Sequence, residues 1–125
     1  MPTLLDYAGL NGDAYSLKAS TDAQRFDGIS FNQTLRGNDA QQEKHDFLYW
    51  EFHETNMLAL RMGEWKLVVK NGTPSLYDLS VDVHEDNDVA ANNPDIVKQM
   101  VDIINREHTT SSMFKVTMPG ESTKR

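Results

Sequence analysis

No cysteine occurs anywhere in the 125 residues. Disulfides, a thiol nucleophile and any thiolate-held zinc or iron–sulfur centre are therefore excluded. Basic charge is scarce as well: 12 Lys and Arg stand against 19 Asp and Glu, a formal net charge of -7. An acidic surface repels phosphate backbones and anionic bilayers, so neither nucleic acid nor a membrane surface is an expected partner. Long apolar runs are missing too, and no stretch approaches the length of a membrane span. The 7 glycines stand singly at turns, which leaves no Gly-rich loop to cradle a phosphate. The opening residues MPTLLDYAGL have neither the basic stretch nor the long apolar run of an export leader. They start abruptly inside an element, as an internal methionine of a longer chain would.

What is present is concentrated in the middle. The polar excess sits in Asn11–Gln24, Asn38–Lys44 and Thr109–Arg125, while periodic apolar spacing runs from Asp46 to Glu107. A chain of this length buries roughly two-thirds of its unfolded surface, enough for one core. The expected layout is a single domain: a helical and loop lead-in over 1–44, an antiparallel sheet over 45–80, a helix over 93–108 and a tail over 109–125.

Pro2, with Leu4, Leu5 and Ala8 on one face and Gly9 after them, predicts a short helix. Asp27-Gly28 is a turn signal, and Ser30 is placed to cap a brief helix through Leu35 that stops at Gly37. The polar stretch Asn38–Lys44 reads as a mobile connection. In Phe47–His53 the apolar row Leu48, Trp50, Phe52 alternates with Phe47, Tyr49, Glu51, His53. Met57–Met62 alternates Leu58, Leu60, Met62 against Ala59 and Arg61, and Trp65–Lys70 alternates Trp65, Leu67, Val69 against Lys66, Val68, Lys70. Gly63-Glu64 between them has the glycine-first chemistry of a type II′ hairpin turn. Asn71-Gly72 is a second turn, which Thr73-Pro74 is expected to lengthen before a last strand over Ser75–Leu79. These features predict a four-stranded antiparallel meander. Asn93-Pro94-Asp95 then reads as cap, first helical position and acidic first turn, opening a helix with a broad apolar stripe from Ile96 to Ile104. A striped helix beside a sheet with an apolar face packs onto it, so the fold class is α+β, with short N-terminal helices and the C-terminal amphipathic helix on one face.

Signals for chemistry are thin. None of the four histidines, His45, His53, His84 and His108, forms a His-x-x-x-His pair or sits in a triad arrangement. Asp82, Glu85, Asp86 and Asp88 invite a calcium reading, but the spacing departs from a calcium-binding loop, and a solvated acidic turn is the simpler account. Trp50, Trp65, Tyr49 and Tyr77 could stack on sugar faces, although their regular alternation fits packing within the sheet. One cluster remains: Glu51, His53, Glu54, Asn56 and Arg61, at or beside the loop joining the first two strands. Such a loop could bind an anionic or hydroxyl-rich ligand, the plain alternative being an exposed Arg–Glu pair.

Several short motifs, in order, carry a family resemblance. MPTLLD at the start, Asp27-Gly28-Ile29-Ser30, Thr34-Leu35-Arg36-Gly37, Tyr49-Trp50-Glu51-Phe52, the hairpin Leu60-Arg61-Met62-Gly63-Glu64-Trp65-Lys66-Leu67, and Leu76-Tyr77-Asp78-Leu79 together resemble the C-terminal subdomain of bacterial formylglycine-dependent sulfatases. These belong to the arylsulfatase-like, alkaline-phosphatase superfamily. The acidic turn departs from the family pattern Asp-Pro-x-Glu-x-x-Asn-Leu-Ala: Asp82, Glu85 and Ala90 match, whereas Val83, Asp88 and Val89 replace Pro, Asn and Leu.

The resemblance implies a parent that hydrolyses sulfate esters, on a carbohydrate or aryl sulfate, in the periplasm or outside the cell. It implies a formylglycine, made in a Cys/Ser-x-Pro-x-Arg motif, and calcium, both in a large N-terminal catalytic domain that this sequence lacks. No catalytic residue and no cofactor or metal ligand of that set maps onto this chain. The expected role is therefore a fragment inactive alone, packing on the catalytic domain and shaping its substrate pocket, with His53, Asn56 and Arg61 as candidate substrate-binding residues. An apolar patch left bare for the missing domain is expected, with Phe47 and Tyr49 as candidates. The rival is an autonomous small α+β binding or interaction module with a ligand of its own and no enzymatic activity.

Overall fold

The computed structural model describes residues 2–9 and 28–121. Their contacts fall into two compact units, Met1–His45 and Asp46–Arg125. The loop expected over Asn11–Gln24, and Asp27 of the expected turn, lie outside the described residues.

In the first unit, α1 spans Pro2–Tyr7, and Gly9 closes it at φ 71°. The short helix α2 covers Asn32–Leu35 and is followed by Gly37 at φ 77°. Ser30 does help to start it, from one residue further out than expected. Its hydroxyl accepts from the Asn32 amide at 3.2 Å and donates to the Asp6 carboxylate at 2.7 Å. The stretch expected to be a mobile connection is instead tied down. Asp39–Gln41 makes one turn of 3₁₀ helix, and the Gln42 side-chain amide donates to the carbonyls of Ser30 at 2.7 Å and Glu43 at 2.8 Å. A glutamine in a polar run can serve backbone groups as well as water does, and composition does not distinguish the two.

In the second unit the meander is as expected: β1 Leu48–Phe52, β2 Met57–Met62, β3 Trp65–Lys70 and β4 Thr73–Asp78, in sheet order β1-β2-β3-β4, every pair antiparallel. Met62 pairs with Trp65 across Gly63-Glu64, with Gly63 at φ 58°. The second connection is tighter than expected. Asn71 and Gly72 both take positive φ, 52° and 82°, so the chain reverses in two residues and Thr73 already pairs with Lys70. Pro74 is tolerated within β4 because it lies on the outer edge of the sheet, where its missing N–H breaks no ladder bond.

Directly opposed residues share a face. Leu58, Leu60, Leu67, Val69 and Leu76 therefore form one surface, and all five are fully buried with Met100 and Ile104. Those last two lie on α3, Pro94–Glu107, whose other apolar positions Ile96, Val97, Val101 and Ile103 close the rim. Asn93 stands at the helix start, but its side chain makes no bond to the first turn; its amide donates back to the Val89 carbonyl at 3.0 Å.

Two expectations about faces need correction. The register places Tyr49 opposite Leu60 and Glu51 opposite Leu58, on the helix side. Phe47 and Tyr49 accordingly pack against the core and are not the bare patch. The purely apolar row of β1 is the one left open: Leu48, Trp50 and Phe52 are 38%, 49% and 53% exposed. The helix accepts the mixed row because Tyr49 and Glu51 find polar partners there. The Tyr49 hydroxyl donates to Glu51 Oε1 at 2.5 Å, and His108 Nδ1 lies 2.9 Å from the same oxygen.

Residues 116–121 of the expected tail fold back on the sheet. Val116 and Met118 pack against the core, and the Thr117 amide donates to Asn56 Oδ1 at 2.7 Å. The Gly120 amide reaches the Gly72 carbonyl at 3.0 Å. Gly72 is closely covered, since a Cβ there would overlap the Glu121 carbonyl oxygen.

Candidate functional site

His53, Asn56 and Arg61 are not brought together. His53 opens a 3₁₀ turn, His53–Thr55, between β1 and β2, and Asn56 follows in the left-handed region at φ 52°. Arg61 sits five residues further along β2, opposite Leu48 and Lys66 at the other end of the sheet. At about 3.3 Å per residue that is a separation of roughly 16 Å along the strand. The expectation that Arg61 lies beside the β1–β2 loop is thus corrected by strand geometry.

The three side chains also differ in what they have left to offer. Asn56 is committed: its amide nitrogen donates to Asn71 Oδ1 at 2.9 Å and to Thr117 Oγ1 at 2.8 Å, and its oxygen accepts from the Thr117 amide. His53 is exposed and meets the Phe114 ring edge-on, with 4.8 Å between centroids. Arg61 is exposed and uses Nε to donate to the Gly63 carbonyl at 3.1 Å. Among the described residues its two terminal nitrogens make no hydrogen bond.

Arg61 lines a groove of about 340 Å³ on the bare side of the sheet, with Trp50, Glu64, Lys66, Leu79, Val83 and Glu85. Register explains the assembly. Trp50 and Arg61 project from the same face of β1 and β2, Lys66 comes from the paired position on β3, and the exit from β4 folds Val83 and Glu85 over the end. Lys66 Nζ and Glu85 Oε1 form an ion pair at 2.5 Å, both partly shielded from water. Among the described residues Arg61 is then the lining cation without an ion-pair partner, sharing the groove with the Glu64 carboxylate and an indole face half open to solvent. A planar guanidinium next to an aromatic plate suits a hydroxyl-rich or anionic ligand. Sequence reasoning named Arg61 but missed Trp50 and Lys66 as its neighbours. Their signal was the strand register, which across two successive connections puts residues 50, 61 and 66 on one face.

The acidic turn is a backbone-binding device. The Asp82 carboxylate accepts the amides of Asp86 at 3.1 Å and Asn87 at 2.8 Å, which hold it below the usual carboxylate range, Asn87 first. Asp88 Oδ1 accepts the amides of Ala90 at 2.9 Å and Leu76 at 3.0 Å, with the same consequence. No group of three or more His, Asp or Glu side chains able to share a cation exists among the described residues. The donor set thus does not fit calcium, and Asp82 and Asp88 already serve amides. On the helix side, burial first and then the Glu51 carboxylate push the Tyr49 hydroxyl well above its ordinary value.

Comparison with known proteins bears on the origin of this arrangement. No protein-family model matches the chain. Arylsulfatase K of Rattus norvegicus is 30% identical over 132 aligned residues, which take in 91% of this chain and 22% of that protein. The chain thus spans about a fifth of the curated relative. Among solved structures, a protein (BT33336S-sulf) from work on the metabolism of multiple glycosaminoglycans by Bacteroides thetaiotaomicron has a TM-score of 0.61 at 22% identity, covering 83% of this chain and 23% of that one. Ps i-CgsB has a TM-score of 0.58 at 18% identity, covering 95% of this chain and 25% of that one. At those identities the two structures speak for the fold. Sequence similarity along nearly its whole length, on a shared fold, supports reading this chain as a sulfatase segment that corresponds to the C-terminal part of the longer relative.

Proposed function

We propose that this segment is the supporting subdomain of a sulfate-ester hydrolase, inactive alone, and that it packs on the catalytic portion through the bare face of its sheet. The observation that carries this reading is the open apolar row Leu48, Trp50, Phe52 in a chain that spans about a fifth of its curated relative. Three large apolar side chains in a row on one open face are a docking signature, since a self-sufficient small domain covers such a row. The reaction would be hydrolysis of a carbohydrate or aryl sulfate. Its formylglycine and calcium would belong to the catalytic portion, because the described residues offer no cation site and the sequence no Ser-x-Pro-x-Arg motif.

The segment's contribution to substrate would come from Arg61, with Trp50 beside it at the groove. His53 stands exposed at the opposite end of β2, and Asn56 acts there by holding the tail. In the full-length parent, Arg61→Ala should lower kcat/KM by about tenfold, the size expected for losing one charge-assisted hydrogen bond. The melting temperature should stay near that of the unmodified protein. Sulfate release by the segment itself would refute its supporting role, and unchanged kcat/KM and substrate preference in Arg61→Ala and His53→Ala would refute the pocket-shaping one.

A further inference from the structure

The two edges of the sheet are treated differently, and the ladder's phase shows how. In an antiparallel pair, opposed residues alternate between those that exchange hydrogen bonds and those that do not. The Asn71 amide donates to the Asn56 carbonyl, extending the β2–β3 ladder by one step. Counting from there, Leu58, Leu60 and Met62 bond towards β3, and Met57, Ala59 and Arg61 bond towards β1. Their partners on β1 are Phe52, Trp50 and Leu48. The amide and carbonyl of Tyr49 and of Glu51 therefore point off the outer edge.

The same count across β3 makes Leu76 the outward residue in the middle of β4. There the edge is closed. The Leu76 amide donates to Asp88 Oδ1 at 3.0 Å, and its carbonyl accepts the Val89 amide at 2.9 Å. Pro74 removes a further donor from that edge. On β1 no hydrogen bond reaches the outward groups of Tyr49 and Glu51 among the described residues. The strand also lacks the usual protections: LYWEF has no Lys and no Pro, and its one charge, Glu51, is turned to the helix side by Tyr49 and His108. Among the described residues, one edge is sealed by its own chain and the other is left as an open template.

We infer that the outer edge of β1 is a strand-addition site, taking an extended segment from the part of the parent sulfatase outside this chain. The inference rests on the supporting-subdomain reading above and adds to it the kind of contact made. The occupant follows from length: about three-quarters of the sulfatase-like relatives lies outside the region this chain matches. The added strand pairs its backbone with Tyr49 and Glu51, while its residue beside Trp50 extends the bare apolar row. Main-chain bonds then supply affinity, and the Trp50 row supplies register.

Amide hydrogen exchange tests this residue by residue. In the isolated segment the Tyr49 and Glu51 amides should exchange about 100-fold faster than that of Trp50, which is bonded to β2. In the full-length sulfatase they should slow to within about tenfold of Trp50. A substitution pair isolates the backbone: Glu51→Pro and Glu51→Ala remove the same side chain, and only the first removes the outward N–H. Glu51→Pro should lower the melting temperature of the full-length protein well beyond Glu51→Ala, and the gap should shrink in the isolated segment. If Trp50 fluorescence reports burial in the full-length protein while both amides stay fast, docking stands and strand addition is overturned. If neither changes, the docking reading falls as well. Protection that rises with concentration of the isolated segment would make a second copy the occupant and overturn the assignment.

Discussion

The two faces of this sheet are built from the same alternating strands and have opposite fates. The face carrying Leu58, Leu60, Leu67, Val69 and Leu76 is sealed by Met100 and Ile104 of α3. The other holds Leu48, Trp50 and Phe52 in the open, next to Arg61 and the Lys66–Glu85 pair. Apolar content does not separate them, since the strongest apolar row of β1 is on the open side. Covering does. Among the described residues, a sheet with two greasy faces and one helix is covered on one side only, and the proposed catalytic portion would cover the other.

The sharpest way to break the comparison is a cavity on the sealed side. Leu60→Ala removes a fully buried side chain from the centre of the helix-covered face. It should cost about 2–5 kcal/mol in denaturant unfolding of the segment, the range for such truncations in packed cores. An effect below about 1 kcal/mol would mean that the helix-covered core is not well packed in solution.

The tail clamp should come next. Gly72→Ala forces a Cβ against the Glu121 carbonyl and puts a side chain at φ 82°. A loss of about 2 kcal/mol is expected, with faster exchange at the Gly120 amide as the tail lifts. Asn56→Ala removes the acceptor for Thr117 and two donors at once, and should cost about 1–2 kcal/mol. Its effect should appear in the isolated segment as much as in the parent, because the clamp is internal. If the loss appeared only as altered substrate preference in the parent, Asn56 would be a ligand contact instead.

Acid should attack the sealed face through its β4 edge. Asp82 and Asp88 have folded values below their unfolded ones, so the stability they contribute is present above about pH 4 and lost as pH falls through the lower folded values. Both groups are exposed enough for solvent to screen much of the effect. Unfolding followed against pH should therefore show a modest acid decline, flattened in Asp88→Asn. Tyr49 has the opposite sign. Its raised value means a contribution fully present below about pH 10 and lost as pH climbs beyond it.

The strands and the helix were legible because each rests on local chemistry. Gly63-Glu64 and Asn71-Gly72 fix the hairpins, and the stripe from Ile96 to Ile104 needs only helical spacing. What failed needed the third dimension. Period two sorts Phe47 and Tyr49 from Leu48 and Trp50, but it cannot say which row a helix will cover when polar partners as distant as His108 decide the matter. Arg61 is near the β1–β2 loop in sequence and far from it in space, because β2 is extended from Met57 to Met62. The Asn56–Thr117 contact joins residues 61 apart through a segment with no period to read. Candidate site residues suffered most, since a groove depends on register across three strands as well as on residue type.

The smallest expected effect is the most discriminating. Trp50→Ser, on the open face, should leave the stability of the isolated segment within about 0.5 kcal/mol, as for a half-exposed position outside the buried core. Its visible consequence in isolation should be lower self-association at high concentration. In the parent the same change should act like a core truncation, because the indole would be buried there against the catalytic portion. The contrast between contexts carries the information: Leu60→Ala should hurt both alike, Trp50→Ser only the longer chain. Should Trp50→Ser destabilise the isolated segment by as much as Leu60→Ala, the open face would be part of this unit's own core. The division between a covered face and a waiting one would then disappear.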